Sequence, residues 1–147
     1  MSTDEYLEAA IAEARAGLQE GGIPIGSVLV LDGRIVGRGR NRRVQEGSVI
    51  KHAEMDCLER AGRMSGAAYR RSVLYSTLSP CDMCSGAVLL YGIPKVVVGE
   101  HQTFRGPEEL LAARRVTVEV RDDPECIAIM SGWMAGHPEL WDEDIGV

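Results

Sequence analysis

The sequence predicts an α/β fold, a three-layer α/β/α sandwich on a mixed five-stranded sheet with helices on both faces. Three observations predict it. Short runs rich in β-branched residues alternate with helical patterns along most of the chain, which is how strands covered by helices read. Two of those runs are joined by Asp32-Gly33, a two-residue turn that makes antiparallel neighbours, so the sheet is not purely parallel. The 147 residues suit a single core that buries roughly two-thirds of the unfolded surface. No repeat, linker or low-complexity tract interrupts the chain. It reads as one domain over residues 1–147, with 137–147 a C-terminal tail.

The elements follow in order. Ser2 with Glu5 has the form of a capping box, and Leu7, Ala10, Ile11, Ala14 and Leu18 carry a first amphipathic helix to about Gln19, where Gly21-Gly22 stops it. Ile25 to Leu31 is a nearly continuous apolar strand, and Arg34 to Arg38 returns beside it. A polar segment, Gly39 to Gly47, leads to a helix from near His52, with Met55, Leu58 and Ala61 on one face and Gly62 near its end. Val73 to Thr77 is a strand. Pro80 suits the first turn of the next helix, which Ala87 to Tyr91 carry to Gly92. Lys95 to Gly99 is a valine-rich strand, Pro107 to Arg115 a helix, Val116 to Val120 a strand, and Pro124 to Gly136 a last helix with Cys126, Ile129, Met130 and Trp133.

The formal net charge of −6 argues against a standing attraction to phosphate backbones and favours a small neutral substrate. Met1-Ser-Thr-Asp-Glu has no basic leader, and no apolar run approaches the ~20 residues of a membrane helix, so a soluble, cytoplasmic chain is expected. The four cysteines, Cys57, Cys81, Cys84 and Cys126, do not form a disulfide pattern, because Cys81 and Cys84 have metal-ligand spacing.

The chemistry concentrates in His52-Ala53-Glu54 and Pro80-Cys81-Asp82-Met83-Cys84. One His and two Cys suit a single Zn²⁺, and three protein ligands leave a fourth position for water. The ligands are expected at the first turns of two helices, where the positive helix end stabilises thiolates and the i, i+3 spacing puts both sulfurs on one face. Zn²⁺ with two thiolates and a neutral imidazole sums to zero charge, so the metal is a weaker acid than in a three-histidine site and needs Glu54 to move the water's proton. His-x-Glu followed by Pro-Cys-x-x-Cys is a recorded signature of zinc deaminases of nucleobases. A Cys-x-x-Cys pair alone would equally suit structural zinc or redox chemistry. Structural zinc needs a fourth ligand, and Cys57, five residues past His52, points elsewhere on the helix. His101 and His137 read as surface or loop histidines, and Met55, Met83 and Met130 as core.

The chain resembles the cytidine deaminase superfamily and, within it, the fungal-type cytosine deaminases that act on the free base. The likeness is carried by Gly21-Gly22-Ile23-Pro24-Ile25-Gly26, Gly37-Arg38-Gly39-x-Asn41, Thr77 to Cys84, Tyr91-Gly92-Ile93-Pro94, Val97-Val98-Gly99-Glu100 and the terminal Trp141-x-Glu143-Asp144-Ile145-Gly146. The resemblance implies that His52, Cys81 and Cys84 hold one zinc ion per chain and that Glu54 is the proton shuttle. It implies that Asn41 and the Ala53 N–H bind the ring edge carrying N1 and O2. The Ser79 carbonyl and Asp144 would take the exocyclic amine, Phe104 and Trp141 would wall the ring, and Ile25 and Ile145 would complete an apolar lid. It further implies a homodimer. Without it, Asn41 could equally be a turn residue and Asp144 a solvated tail charge. Position 53 departs from the family's Gly, and residues within Arg42 to Lys51 depart as well, which bears on the ring accepted.

The function expected is hydrolytic deamination of cytosine to uracil and ammonia, in pyrimidine salvage, with a nucleobase partner and neither nucleic acid nor membrane. The alternatives are the same mechanism on isocytosine, guanine or creatinine, a tRNA adenosine deaminase, or a non-catalytic zinc-stabilised binding module, which would leave Glu54 without a purpose.

Overall fold

A computed structural model describes residues 4–147 of the chain. The elements are α1 (Glu5–Gln19), β1 (Gly26–Leu31), β2 (Arg34–Arg40), α2 (Arg43–Glu46), α3 (Ala53–Ala61), α4 (Gly66–Tyr69) and β3 (Ser72–Ser76), then α5 (Asp82–Tyr91), β4 (Lys95–Val98), α6 (Glu108–Ala113), β5 (Thr117–Val120), α7 (Pro124–Gly136) and α8 (Pro138–Asp144). The strands form one five-stranded sheet in the order β2-β1-β3-β4-β5. β1 pairs antiparallel with β2 and β3, whereas β3–β4 and β4–β5 are parallel. The expected mixed sheet is therefore present.

Period-two alternation sorts the strand residues between two helical layers. Val28, Val30, Tyr75 and Val97 pack with Leu7, Ala10 and Ile11 of α1 and Cys126 of α7. Leu29, Leu74, Val96 and Val98, one position out of step, pack with Cys57 of α3, Val88 of α5 and Leu111 of α6. Both faces of the central strands are thus buried, which is why β1 and β4 read as continuous apolar runs.

The differences from expectation lie at ends and in short pieces. The capping box at Ser2 lies outside the described residues; Asp4 caps α1, its side chain accepting from the Tyr6 N–H at 2.9 Å. Pro80 precedes the helix it was expected to start, since Cys81 is the N-cap of α5. The one-turn helices α2 and α4 were not expected, being too short for a periodic signal. The tail contains α8, because Trp141 finds a buried position against Trp133. Of the three methionines expected in the core only Met130 is fully buried; Met55 and Met83 are partly buried.

Register decides where the loops meet. Gly26 at the start of β1 is opposite Arg40 at the end of β2, Ser27 is opposite Ser76 at the end of β3, and Ser76 is opposite Val98 at the end of β4. Ile25, Asn41, the Thr77–Pro80 segment and the loop with Phe104 therefore leave the sheet at one edge, the carboxyl ends of its parallel strands, where open α/β sheets form their crevice. β2 also lies unusually close to α3. A Cβ built on Gly39 would sit 2.2 Å from the Cys57 nitrogen and 2.6 Å from the Ala53 oxygen, so only glycine admits the helix there.

Candidate active site

The three expected metal ligands converge. His52 is the N-cap of α3, Cys81 the N-cap of α5, and Cys84 lies in the first turn of α5. Their ligand atoms lie within 4.8 Å of one another. His52 Nδ1 is 3.4 Å from Cys81 Sγ and 3.7 Å from Cys84 Sγ. Nitrogen and sulfur ligands placed tetrahedrally on one Zn²⁺ are separated by roughly 3.5 Å, so the donor set and its spacing fit that ion. The other ring nitrogen, Nε2, is 3.5 Å from Asp144 Oδ1, the carboxylate that would orient a metal-bound imidazole. Cys57, as expected, is not in the cluster: its Sγ lies 3.5 Å from the Gly37 carbonyl.

The site is rich in negative charge that a cation would balance. The hydrogen bond from Cys84 brings the Cys81 thiol down to about 4 against the cost of burial, with His52 assisting, while Cys84, sharing that bond and buried, is pushed up. Burial works against a proton on His52, yet Cys81, Asp144 and Glu54 outweigh it and raise the imidazole to about 9. Glu54, on the first turn of α3, is buried, and that burial together with the Cys81 charge lifts its carboxyl to about 7, the range in which a carboxylate can both take and return a proton. The Ser76 hydroxyl, from the end of β3, donates to Glu54 Oε2 at 3.2 Å.

Beside the ligands lies a small, partly open cavity, with about 10 Å³ of room for the centre of a water molecule, on the order of one water. Its walls are Ile25, Leu78, Ser79, Phe104, Trp141, Asp144 and Ile145 together with His52, Glu54 and Cys81. Phe104 and Trp141 meet edge to face, with centroids 5.7 Å apart. A wider cleft of about 580 Å³ opens outside, sharing His52, Cys81, Phe104, Asp144 and Ile145 with the inner cavity. Asn41 and Ala53 are fully buried next to the cavity but are not on its wall. Asn41 Nδ2 donates to Asp144 Oδ1 at 3.0 Å, so Asp144 is a buried partner of the site and not a solvated tail charge.

Some residues at the site were given no individual role by the sequence. Ser76 ends β3 and Leu78 lies in the segment that follows it, so their roles depend on what the fold sets beside them. Glu100 is fully buried and accepts from the Gln102 and Thr103 N–H groups at 2.8 and 3.0 Å, shaping the loop that presents Phe104. Glu108 accepts from Ser79 Oγ at 2.6 Å and faces His101 Nδ1 at 3.1 Å, so His101 braces the segment behind Ser79. His137 stacks on Trp133, centroids 4.8 Å apart, at the junction of α7 and α8.

Comparison with known proteins bears on this geometry. The family model for the cytidine and deoxycytidylate deaminase zinc-binding region matches residues 1–100. The cytosine deaminase of Candida albicans is 46% identical over 141 residues, covering 95% of this chain and 94% of that protein. A tRNA-specific adenosine deaminase of Streptococcus pyogenes is 41% identical over 107 residues, covering 71% of this chain and 67% of that one. Among solved structures, the guanine deaminase of Nitrosomonas europaea shares the fold, with a TM-score of 0.72 at 23% identity over 92% of this chain and 86% of that one.

Proposed function

The chain belongs to the cytidine and deoxycytidylate deaminase family, and we propose that it acts within that family on a free base, hydrolysing cytosine to uracil and ammonia. The observation that carries this reading is α8, which lays Trp141, Asp144 and Ile145 over the cavity beside His52 and Glu54. A narrow cavity covered in this way suits a small flat ring better than a nucleotide strand.

His52, Cys81 and Cys84 would hold the zinc ion. When bound, zinc supplies the Lewis acidity that makes water a nucleophile near neutral pH. Glu54, held by Ser76, takes a proton from the attacking water and delivers protons to the ring nitrogen and the departing amine, so that cytosine and water become uracil and ammonia. Asn41 and the Ala53 N–H bind the N1–O2 edge, for which an amide's donor and acceptor are matched. The Ser79 carbonyl and Asp144 receive the exocyclic amine. Phe104 and Trp141 wall the ring, and Ile25 and Ile145 complete an apolar lid. Trp141, Asp144 and Ile145 line the narrow inner cavity, which supports reading residues 137–147 as a lid over the site.

The assembly proposed is a homodimer. It is supported by a groove of about 630 Å³ lined from α3, α4 and α5, at whose rim Leu90 is 74% exposed. The four cysteines are unpaired, which supports a reducing, cytoplasmic site of action, and conversion of cytosine to uracil is a reaction of pyrimidine salvage.

The test is ammonia release by the zinc-loaded chain from cytosine, beside cytidine, isocytosine, guanine and creatinine, with inosine formation in tRNA measured in parallel. Turnover of cytosine and none of cytidine is expected. Activity confined to another ring moves the substrate assignment and keeps the chemistry; activity on tRNA alone overturns the free-base reading.

A further inference from the structure

Asn41 and Asp144 come from distant parts of the chain, and one residue touches both. The Arg43 N–H donates to Asn41 Oδ1 at 3.0 Å, which leaves the Asn41 amide nitrogen facing Asp144 Oδ1 at 3.0 Å. The Arg43 guanidinium reaches the same helix end: Nη1 is 3.6 Å from Asp144 Oδ1 and 3.3 Å from Glu143 Oε1, while Nε donates to the Val49 carbonyl at 2.9 Å. Its side chain is only 10% exposed although it lines the outer cleft.

α8 is seven residues long and its N-terminus has no side-chain cap, so its place depends on tertiary contacts. Among the described residues, the side-chain hydrogen bonds of α8 run to Asn41 and Arg43. Arg43 is also the one Arg or Lys among them within ion-pair distance of Asp144. A guanidinium suits this place because its donors point in several fixed directions at once, whereas an ammonium is a point charge.

We propose that Arg43 is a positioning residue, which holds α8 over the pocket and aligns the Asn41–Asp144 pair without touching the substrate. Glu54, Cys81 and Cys84 ride on α3 and α5 and meet Arg43 only through Asp144, whose Oδ1 is 3.5 Å from His52 Nε2, so loosening Arg43 weakens binding of the ring first and reaches the chemistry only through that one contact. The kinetic arm of the test rests on the cytosine reading; the exchange arm does not.

The experiment compares the zinc-loaded full chain with Arg43→Gln and Arg43→Lys by amide hydrogen exchange and by steady-state kinetics on cytosine. The expected result for Arg43→Gln is about tenfold faster exchange at Trp141 to Ile145 with α3 unchanged, and Arg43→Lys in between. KM rises about tenfold while kcat moves less than about threefold. Unchanged α8 exchange with unchanged KM overturns the proposal, and so does equal acceleration across α3 and α8, which marks general loosening. Should Arg43→Gln fail to fold, the same contrast between α8 and α3 is read on Arg43→Lys. If the wild type releases no ammonia from cytosine, the substrate reading fails while exchange still decides the role of Arg43.

Discussion

Replacing Gly39 with alanine adds one methyl group beneath α3 and tests how the sheet positions the catalytic helix. The new Cβ would meet the Cys57 nitrogen at 2.2 Å, the Ala53 oxygen at 2.6 Å and the Cys57 Cα at 2.7 Å, all of which belong to the main chain or its Cα and cannot rotate away. Relief to ordinary contact at 3.4 Å requires the helix to retreat by about 1.2 Å. Overpacking of this kind costs about 1–3 kcal/mol. At about 2–4 °C per kcal/mol for a chain of this size, the melting temperature should fall by roughly 2–12 °C. The larger effect is on function. α3 carries Glu54 on its first turn and His52 at its cap, whereas Cys81 and Cys84 ride on α5 and do not follow. A displacement near 1 Å between such groups costs on the order of 10²-fold in rate. The assay is kcat/KM for ammonia release, with zinc content by elemental analysis and melting by calorimetry. Gly132→Ala on α7, where a Cβ would meet nothing within 4 Å, is the control and should be neutral or slightly stabilising. A Gly39→Ala protein with wild-type melting, zinc content and activity would refute the argument that contact between β2 and α3 sets the site.

Two further outcomes follow from the site's chemistry. Glu54→Gln should keep the zinc and the fold, since Ser76 can still hydrogen-bond the amide, and should lose about 10²–10⁴-fold or more in kcat; retained turnover would remove Glu54 from the proton path. After zinc is removed with a chelator, a maleimide should modify Cys81 first. Its thiol is held down to about 4, so it is ionised throughout the range above that value and its rate should be flat between roughly pH 5.5 and 8, where an ordinary thiol slows about tenfold per unit. Cys57, pushed up to about 12 by burial, and Cys126, raised by the same cause, should stay unmodified; mass spectrometry locates the adducts, and equal labelling of all four would contradict the burial seen here.

The parts of this molecule that could be read from the chain are those whose physics is local. Asp32-Gly33 dictates a hairpin, the valine-rich run at Lys95–Val98 dictates a buried strand, and Cys81 and Cys84 three residues apart face one ion because a helical turn has that pitch. The start of α7 at Pro124 was equally local, with Asp123 capping the first N–H groups. The misses were of another kind. α8 has too little periodicity to announce itself and forms because Trp141 has Trp133 and Phe104 to pack against. Arg43 and Glu108 carry no local sign of the partners that bury them. Asn41 and Asp144 were singled out through family resemblance, since nothing in their neighbours along the chain distinguishes them.

The identity and spacing of the zinc ligands, the presence of Glu54 and the alternation of strands and helices were thus written in stretches of a few residues, where hydrogen-bond geometry and helical pitch leave little choice. The narrow cavity, the elevation of Glu54 and the contact between Asn41 and Asp144, 103 positions apart, were decided only when the sheet brought its loop ends to one edge and α8 folded back across them. Burial and long-range contact are properties of the packed chain, and no local pattern carries them.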